Sequence, residues 1–496
     1  MALSFIYFGF WWGYRLDELP GLHADEAWAG LMAYAYKDKL DSLTGMNNYT
    51  GILQPYLVSL IFHHIDAGVF ELRISTVFFN FCGVAIISRV LYHFSRWHVI
   101  VFLLIFSQSA LLMVTTRIAW EVNTFTLFLM SIILLSIHRL IKTESNSPAY
   151  CFLFLVVNLA GTYNHILFSS LSVSLLIGSL ICIAGTKRPV PVYLLYILFA
   201  NIFNLILLFF TMRYLLGLLS LKSGLAVSVI FLFTAMIESF MLSKIRTQGP
   251  AGGIKVRPEV ITIAILLATC TFLVFHSSAL LDVLTNYKIL TNIYSYTPSI
   301  LEKVLLFALG SLFLVCIFYS LFADFFRKTA FVWPAVVILS YMGILSIYTT
   351  NNSFRYYLII YVMLSVYITH KIVLSPHRKK IMVALTVSFF LMNFSLIEIY
   401  LVPHRKLKAV ELVVGNGQDE NSGHFLPKKP LIDFLKSKKA GQIIYGSDRY
   451  FIEQPVLFYR KLNPWPEDIN NSVIVDFNPF TVGNGFILME KTKPLP

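Results

Sequence analysis

Residues 122–140 read VNTFTLFLMSIILLSIHRL, an apolar run that starts directly after Glu121 and reaches its first base at Arg139, with Lys142 just beyond. At 1.5 Å per residue, a helix of that length matches a hydrocarbon layer of roughly 30 Å. Runs of similar length recur along the chain at approximately 2–14, 74–93, 99–116, 149–163, 166–185, 190–212, 224–243, 259–283, 301–323, 330–349, 355–373 and 380–402. Over 496 residues the chain is 57% hydrophobic and 13% charged, with a mean hydropathy of +0.72. No soluble domain of this length has that composition. The apolar residues come in unbroken runs and not in alternation, which excludes a barrel reading. The expectation is an all-α polytopic membrane protein with about thirteen transmembrane helices.

The net charge of +13 does not point to nucleic acid. Its bases fall in alternate short loops: Arg96; Arg139 and Lys142; Lys187 and Arg188; Lys244, Arg246, Lys255 and Arg257; Arg327 and Lys328; Lys371, Arg378, Lys379 and Lys380. That alternation is the positive-inside signature, and it puts the N-terminus in the cytoplasm and the C-terminus outside. Cys82, Cys151, Cys182, Cys270 and Cys316 sit in apolar runs without metal-site spacing and read as small core residues. There is no cleavable signal pattern ahead of a soluble body.

Two regions stand apart from the apolar runs. Residues 15–73 form a long first outer loop, in which 51–64 is too short to span and reads as an interfacial or re-entrant helix. Residues 403–496 form a polar tail with short β-rich runs at 442–445 and 472–475, expected to make a small extracytoplasmic α/β domain beside a 1–402 transmembrane module. The first apolar run offers only about a dozen residues, roughly 18 Å of helix. Trp11, Trp12 and Tyr14 read as an interfacial belt at its outer end.

Chemistry points to the outer face. Asp25 and Glu26 lie in the polar stretch Leu22–Trp28 just after the first run. Adjacent carboxylates at a membrane boundary suit a catalytic base, because partial desolvation raises a carboxylate toward working pH. A solvated or base-paired loop acid pair is the plain alternative. Arg117 closes one run, and Glu121 follows four residues later. A guanidinium at such a junction is a natural clamp for phosphate, or half of an Arg–Glu pair that fixes the hairpin. Arg355 opens the run at 355–373, where it is either a second phosphate ligand or a snorkelling base. Outer-face bases are otherwise scarce: Arg73, Arg213, Lys288 and Lys303. His165 occupies an outer turn, a position that is more often structural than functional. His23, His63 and His64 are metal-ligand types beside Asp25 and Glu26. Without ligand spacing, a divalent metal is allowed but no cofactor is predicted. Ser447-Asp448-Arg449-Tyr450 reads as a turn. Phosphate-loop, dinucleotide, nucleophile-elbow and zinc-protease motifs are all absent. A group-transfer reaction would therefore draw on a lipid-borne donor.

The order of these elements resembles the GT-C superfamily of integral-membrane glycosyltransferases, closest to the branch of protein O-mannosyltransferases and the bacterial lipid A aminoarabinose transferase. The likeness rests on a first run followed by a loop opening with Asp25-Glu26, then Gln54-Pro55-Tyr56, then Glu71-Leu72-Arg73-Ile74-Ser75. It continues with Arg117, His165 and Arg355-Tyr356 at later outer ends. It covers nearly the whole chain in layout and only short strings in identity. The first run is short, and Gln54-Pro55 stands where the family carries Pro-Pro. The resemblance implies Asp25 as base or as the group that positions the acceptor, with Glu26 supporting the base, binding the acceptor or holding a metal. Donor phosphate would sit on Arg117 and Arg355, with Arg213 and Lys288 as further bases. Tyr56, Glu121, His165 and Tyr356 would be substrate contacts. A metal, if held, would take Asp25, Glu26 and His63. The implied donor is a polyprenyl-phosphate sugar, and the acceptor a glycan, lipid or protein at the outer face of a bacterial inner membrane. Two other classes stay open: an O-antigen or cell-wall polymer polymerase or ligase, and a transporter of lipid-linked sugars.

Overall fold

The computed structural model describes residues 2–38, 50–143, 148–185, 202, 299–327, 332–345, 354–401, 428–445, 449–477 and 486–491. Apart from residue 202, the runs expected at 190–212, 224–243 and 259–283 lie outside the described residues, as do Arg213 and Lys288.

Helices dominate. They are α1 (Ala2–Gly13), α2 (Ala24–Asp38), α3 (Leu53–His64), α4 (Val69–Tyr92), α5 (Arg96–Ser107), α6 (Ala110–Thr115), α7 (Glu121–Thr143), α8 (Pro148–Asn164) and α9 (Leu167–Gly185). Then come α10 (Ile300–Arg327), α11 (Val332–Leu345), a 3₁₀ turn at Phe354–Tyr357, α12 (Leu358–Leu374) and α13 (Arg378–Leu401). Among the described residues, four helical segments are long and apolar enough to cross a membrane: Val69–Tyr92, Glu121–Leu140, Arg355–Leu374 and Arg378–Ile397. The shorter apolar stretches include Arg96–Ser107 and Val332–Leu345. The chain is an integral membrane protein. On α13, Val383, Val387, Phe390 and Phe394 face outward, as lipid-contacting residues do.

The stretch expected as one span at 99–116 is broken. α5 stops at Ser107 and α6 begins at Ala110, because the Ser109 hydroxyl accepts from the Leu112 N–H at 3.2 Å and caps a new helix. Trp11 and Trp12 also depart from expectation. They are buried in the core, with Trp12 stacked on Phe8 at 4.8 Å, and only Tyr14 is exposed.

α4 packs closely on α7. Gly83 permits it, since a Cβ there would stand 3.0 Å from the Leu127 side chain and 3.1 Å from the Phe128 nitrogen. Thr76 and Thr124 share a 2.7 Å hydroxyl contact, and the Asn80 amide donates to the Asn123 carbonyl at 2.9 Å. Small and hydrogen-bonding residues do this work in membranes, where apolar surface alone gives helices no reason to associate.

The bundle has two chemically distinct ends. At one, His98 Nε2 meets His370 Nδ1 at 2.8 Å, and Lys371 pairs with Asp324 at 2.9 Å. Arg378 lies 5.0 Å over the Trp97 ring there. Asp25, Arg73, Arg117, His165 and Arg355 collect at the other.

The C-terminal residues form α14 (Lys429–Ser437), β1 (Ala440–Tyr445), α15 (Arg449–Leu462), β2 (Asp468–Phe477) and β3 (Phe486–Lys491). The sheet order is β1-β2-β3, with β1 parallel to β2 (Gln442 opposite Ser472, Tyr445 opposite Val475) and β2 antiparallel to β3 (Ser472 opposite Lys491). Leu431, Leu435, Ile452, Val456, Trp465 and Val473 form its core. Residues 447–450, expected as a turn, include the start of α15, because Arg449 and Tyr450 are already helical.

Candidate functional site

Helix α2 begins with its acids, and the helix dipole favours negative charge there. His23 is the residue before the helix, since its carbonyl accepts the Ala27 N–H at 3.0 Å. Its ring Nδ1 accepts the Asp25 N–H at 3.1 Å, and Glu26 Oε2 reaches back to the His23 N–H at 3.1 Å. This is a capping box with imidazole in the place usually held by a hydroxyl. Trp120 Nε1 also donates to Nδ1, at 3.3 Å. A ring nitrogen that accepts two N–H groups carries no proton, so the hydrogen of the neutral ring sits on Nε2. Burial pushes His23 down to about 4, ahead of the opposing pull of Asp25, and at neutral pH the ring is uncharged. Its 3.7 Å approach to Asp25 Oδ2 is therefore not an ion pair.

The two carboxylates have different surroundings. Glu26 is 0% exposed and takes a fork from Arg73, with Nε to Oε1 and Nη2 to Oε2 both at 2.8 Å. Ala119 N–H adds a 2.8 Å bond to Oε1. The rest of Arg73 holds the carbonyls of Leu16 and Pro20 at 2.9 and 2.8 Å. Asp25 is turned the other way. Arg355 Nη1 meets Oδ2 at 3.1 Å, and the Tyr450 hydroxyl donates to Oδ1 at 3.2 Å. Burial raises the Asp25 carboxyl, and against it the charge of Arg355 and the hydrogen bonds from Tyr450 and Arg355 favour the ionised form. With His23 neutral, Arg355 supplies the facing positive charge.

The other sequence-picked residues divide. Arg355 lies 4.9 Å over Trp120 and 5.6 Å over Tyr356, a cation seated between two rings. Glu121 is buried within electrostatic reach of Arg355 and Asp25. His165 is buried in the turn between α8 and α9, with its Nδ1 accepting the Leu167 N–H at 3.1 Å. Its ring lies 6.5 Å from Tyr356, and burial, then Arg355, presses it down to about 3. Tyr56 is exposed on α3 and makes no described contact with this cluster.

Three expectations need correction. Arg117 is not at a phosphate-binding surface. It is 0% exposed, and its guanidinium donates to the carbonyls of Trp11, Tyr14 and Leu19, which pins the end of α1. Glu26 cannot assist the base, because Arg73 and two backbone N–H groups engage both of its oxygens. The same saturation removes it from a metal set with Asp25 and His63. His63 and His64 are exposed at the end of α3, and among the described residues no three His, Cys, Asp or Glu side chains converge as a metal needs.

Sequence reasoning passed over Trp120, and over Tyr450, which was set aside as a turn residue. It also missed Lys428, which is buried at the start of α14. Burial pushes that ammonium down to about 7 while Glu26 pulls the other way. No single-chain signal marks Lys428. Tyr450 had one, since its Arg-Tyr-Phe-Ile-Glu string opens an amphipathic helix pattern.

No family model and no curated protein sequence matches the chain. Among solved structures it is similar to ArnT from Cupriavidus metallidurans bound to undecaprenyl phosphate, with 11% identity and a TM-score of 0.37 over 96% of this chain and 92% of that one. It is similar also to the apo state of that protein, with 9% identity and a TM-score of 0.36 over the same shares.

Proposed function

We propose that the chain transfers a sugar from a polyprenyl-phosphate donor to an acceptor hydroxyl at the outer membrane boundary, with Asp25 as base. One observation carries the reading: Asp25 and Arg355, 330 residues apart, form an ion pair at 3.1 Å where α2 meets the end of an apolar helix. An in-line displacement at an anomeric carbon needs a base on the attacking face and positive charge on the leaving face, and Asp25 and Arg355 supply the two groups once the donor sugar enters between them. The acceptor oxygen attacks C1, and its proton passes to Asp25. The C1–O bond to phosphate breaks, and the phosphate leaves with the electron pair. Arg355 meets the charge that grows on the leaving oxygens. One displacement inverts the anomeric centre. Phosphate leaves readily, so the second carboxylate that glycosidases need is not required here, in keeping with the structural role of Glu26.

The charge at the bundle end and the resemblance of the motif order to GT-C enzymes support this assignment over a transporter, which would favour paired repeats and ionisable groups in mid-membrane. The C-terminal α/β residues belong to the outer side on this reading. The test is a transfer assay with purified protein in lipid nanodiscs and a panel of polyprenyl-phosphate sugars. Transfer with inversion that is lost in Asp25→Asn supports the assignment. Transfer by Asp25→Asn at the parental rate overturns it.

A further inference from the structure

Helix α15 is anchored to α2 through a notch. Phe458 is fully buried, and its ring fills the space above Gly30, where a Cβ would stand 2.4 Å from the ring. Seven residues earlier on the same helical face, Phe451 lies edge-on to His23 at 5.4 Å. One turn beyond Phe458, Lys461 sits 5.5 Å over the Tyr34 ring of α2. The three contacts fix the long axis of α15 along α2, and so they fix where its first turn falls. That first turn carries Tyr450, whose hydroxyl donates to Asp25 Oδ1 across 425 residues of chain. Arg355 holds Oδ2 of the same carboxylate from the opposite side. A carboxylate gripped at both oxygens by groups from two distant parts of the chain has its plane set, and with it the direction of its remaining lone pairs.

We propose that Tyr450 is a positioning residue for Asp25, delivered by the docking of α15 on Gly30, so that the C-terminal residues are a working part of the site. This rests on Asp25 being the base in the transfer proposed above. The hydrogen bond favours the charged form of the carboxylate. Its loss therefore moves the acid limb of the reaction upward and lowers kcat, while the donor KM, set by Arg355, stays close to the parent.

The decisive experiment does not depend on knowing the substrate. A water-soluble carbodiimide with an amine nucleophile labels carboxyls in their protonated form, and mass spectrometry reads the modification at Asp25 against pH in the full chain. Tyr450→Phe is expected to raise the labelling midpoint by about half a pH unit or more, with an unchanged melting temperature. Phe458→Leu, which withdraws the ring from the notch without touching Asp25, is expected to raise it as well. An unchanged midpoint in Tyr450→Phe overturns the proposal. A shift in Tyr450→Phe without one in Phe458→Leu overturns the delivery by α15. If the midpoint shifts but no polyprenyl-phosphate sugar is ever transferred, the transferase reading fails while the positioning role stands. If transfer proceeds and Tyr450→Phe changes neither the midpoint nor the acid limb, the reverse holds.

Discussion

Asp25 and Glu26 are adjacent in the chain, yet they belong to two layers of charge with opposite properties. The inner layer is Glu26, Arg73 and Arg117, all fully buried, with their polar atoms held by one another or by backbone carbonyls and N–H groups. The outer layer is Asp25, Arg355 and Tyr450, each partly exposed. A saturated buried charge cannot take a ligand without losing a partner, so the inner layer builds the fold. A charge with solvent on one side can exchange partners, so the outer layer is where a substrate fits.

Breaking the inner layer has the largest consequence. Removing one member of a buried, hydrogen-bonded ion pair leaves the other charged and unsatisfied, typically at about 3–5 kcal/mol. Arg73→Ala is therefore expected to lose folded protein, seen as a collapse of the detergent melting transition. Arg117→Ala is expected to show a similar loss of stability, where a phosphate ligand would show a change in donor affinity alone. In the outer layer, Asp25→Asn is expected to cut turnover by about 10²–10⁴ while the melting transition falls less than in Arg73→Ala, since the isosteric amide keeps a hydrogen-bond acceptor. Arg355→Ala is expected to raise the donor KM by about tenfold, which corresponds to about 1.4 kcal/mol of binding. A donor KM unchanged in that variant would remove Arg355 from the phosphate site.

The smallest effects separate the layers by pH. Asp25 is held below its ordinary value of about 3.9. What its pairing adds to stability is present above that value and fades only as the pH falls through the lower folded value. Between pH 5 and 8, Asp25 should leave stability flat. Lys428, beside the inner layer, behaves in the opposite sense. Its folded value of about 7 lies below its model-peptide value of 10.5, so the unfolded chain binds more protons between the two. Stability is expected to rise as the pH climbs from about 7 toward 10, and Lys428→Met should flatten that slope in melting curves.

The helical class was legible because apolar runs near twenty residues have no other use, and α4, α7, α12 and α13 follow them closely. The break at Gln108–Ser109 was not, since a hydroxyl cap inside an apolar run leaves hydropathy unchanged. At the site, the residue types were readable and their pairing was not. Asp25 and Arg355 were both singled out, but hydropathy does not say which bases face inward. Arg117 and Arg355 look alike in sequence, as bases at the ends of apolar runs. Only the path of α1, which brings the Trp11 and Tyr14 carbonyls to Arg117, tells them apart. Tyr450 was missed for a related reason: a long-range hydrogen bond has no local signature.

The reach of Arg117 back to Trp11 spans 106 residues, and it bears on the order of synthesis. The first helix leaves the ribosome long before the guanidinium that ties down its last carbonyls. Until residue 117 is inserted, that end of α1 has only lipid headgroups or water to bond. The first helix thus settles into its final seat only when the hairpin carrying Arg117 arrives, and nascent chains halted before residue 117 should hold it loosely, a difference that crosslinking of stalled intermediates would register.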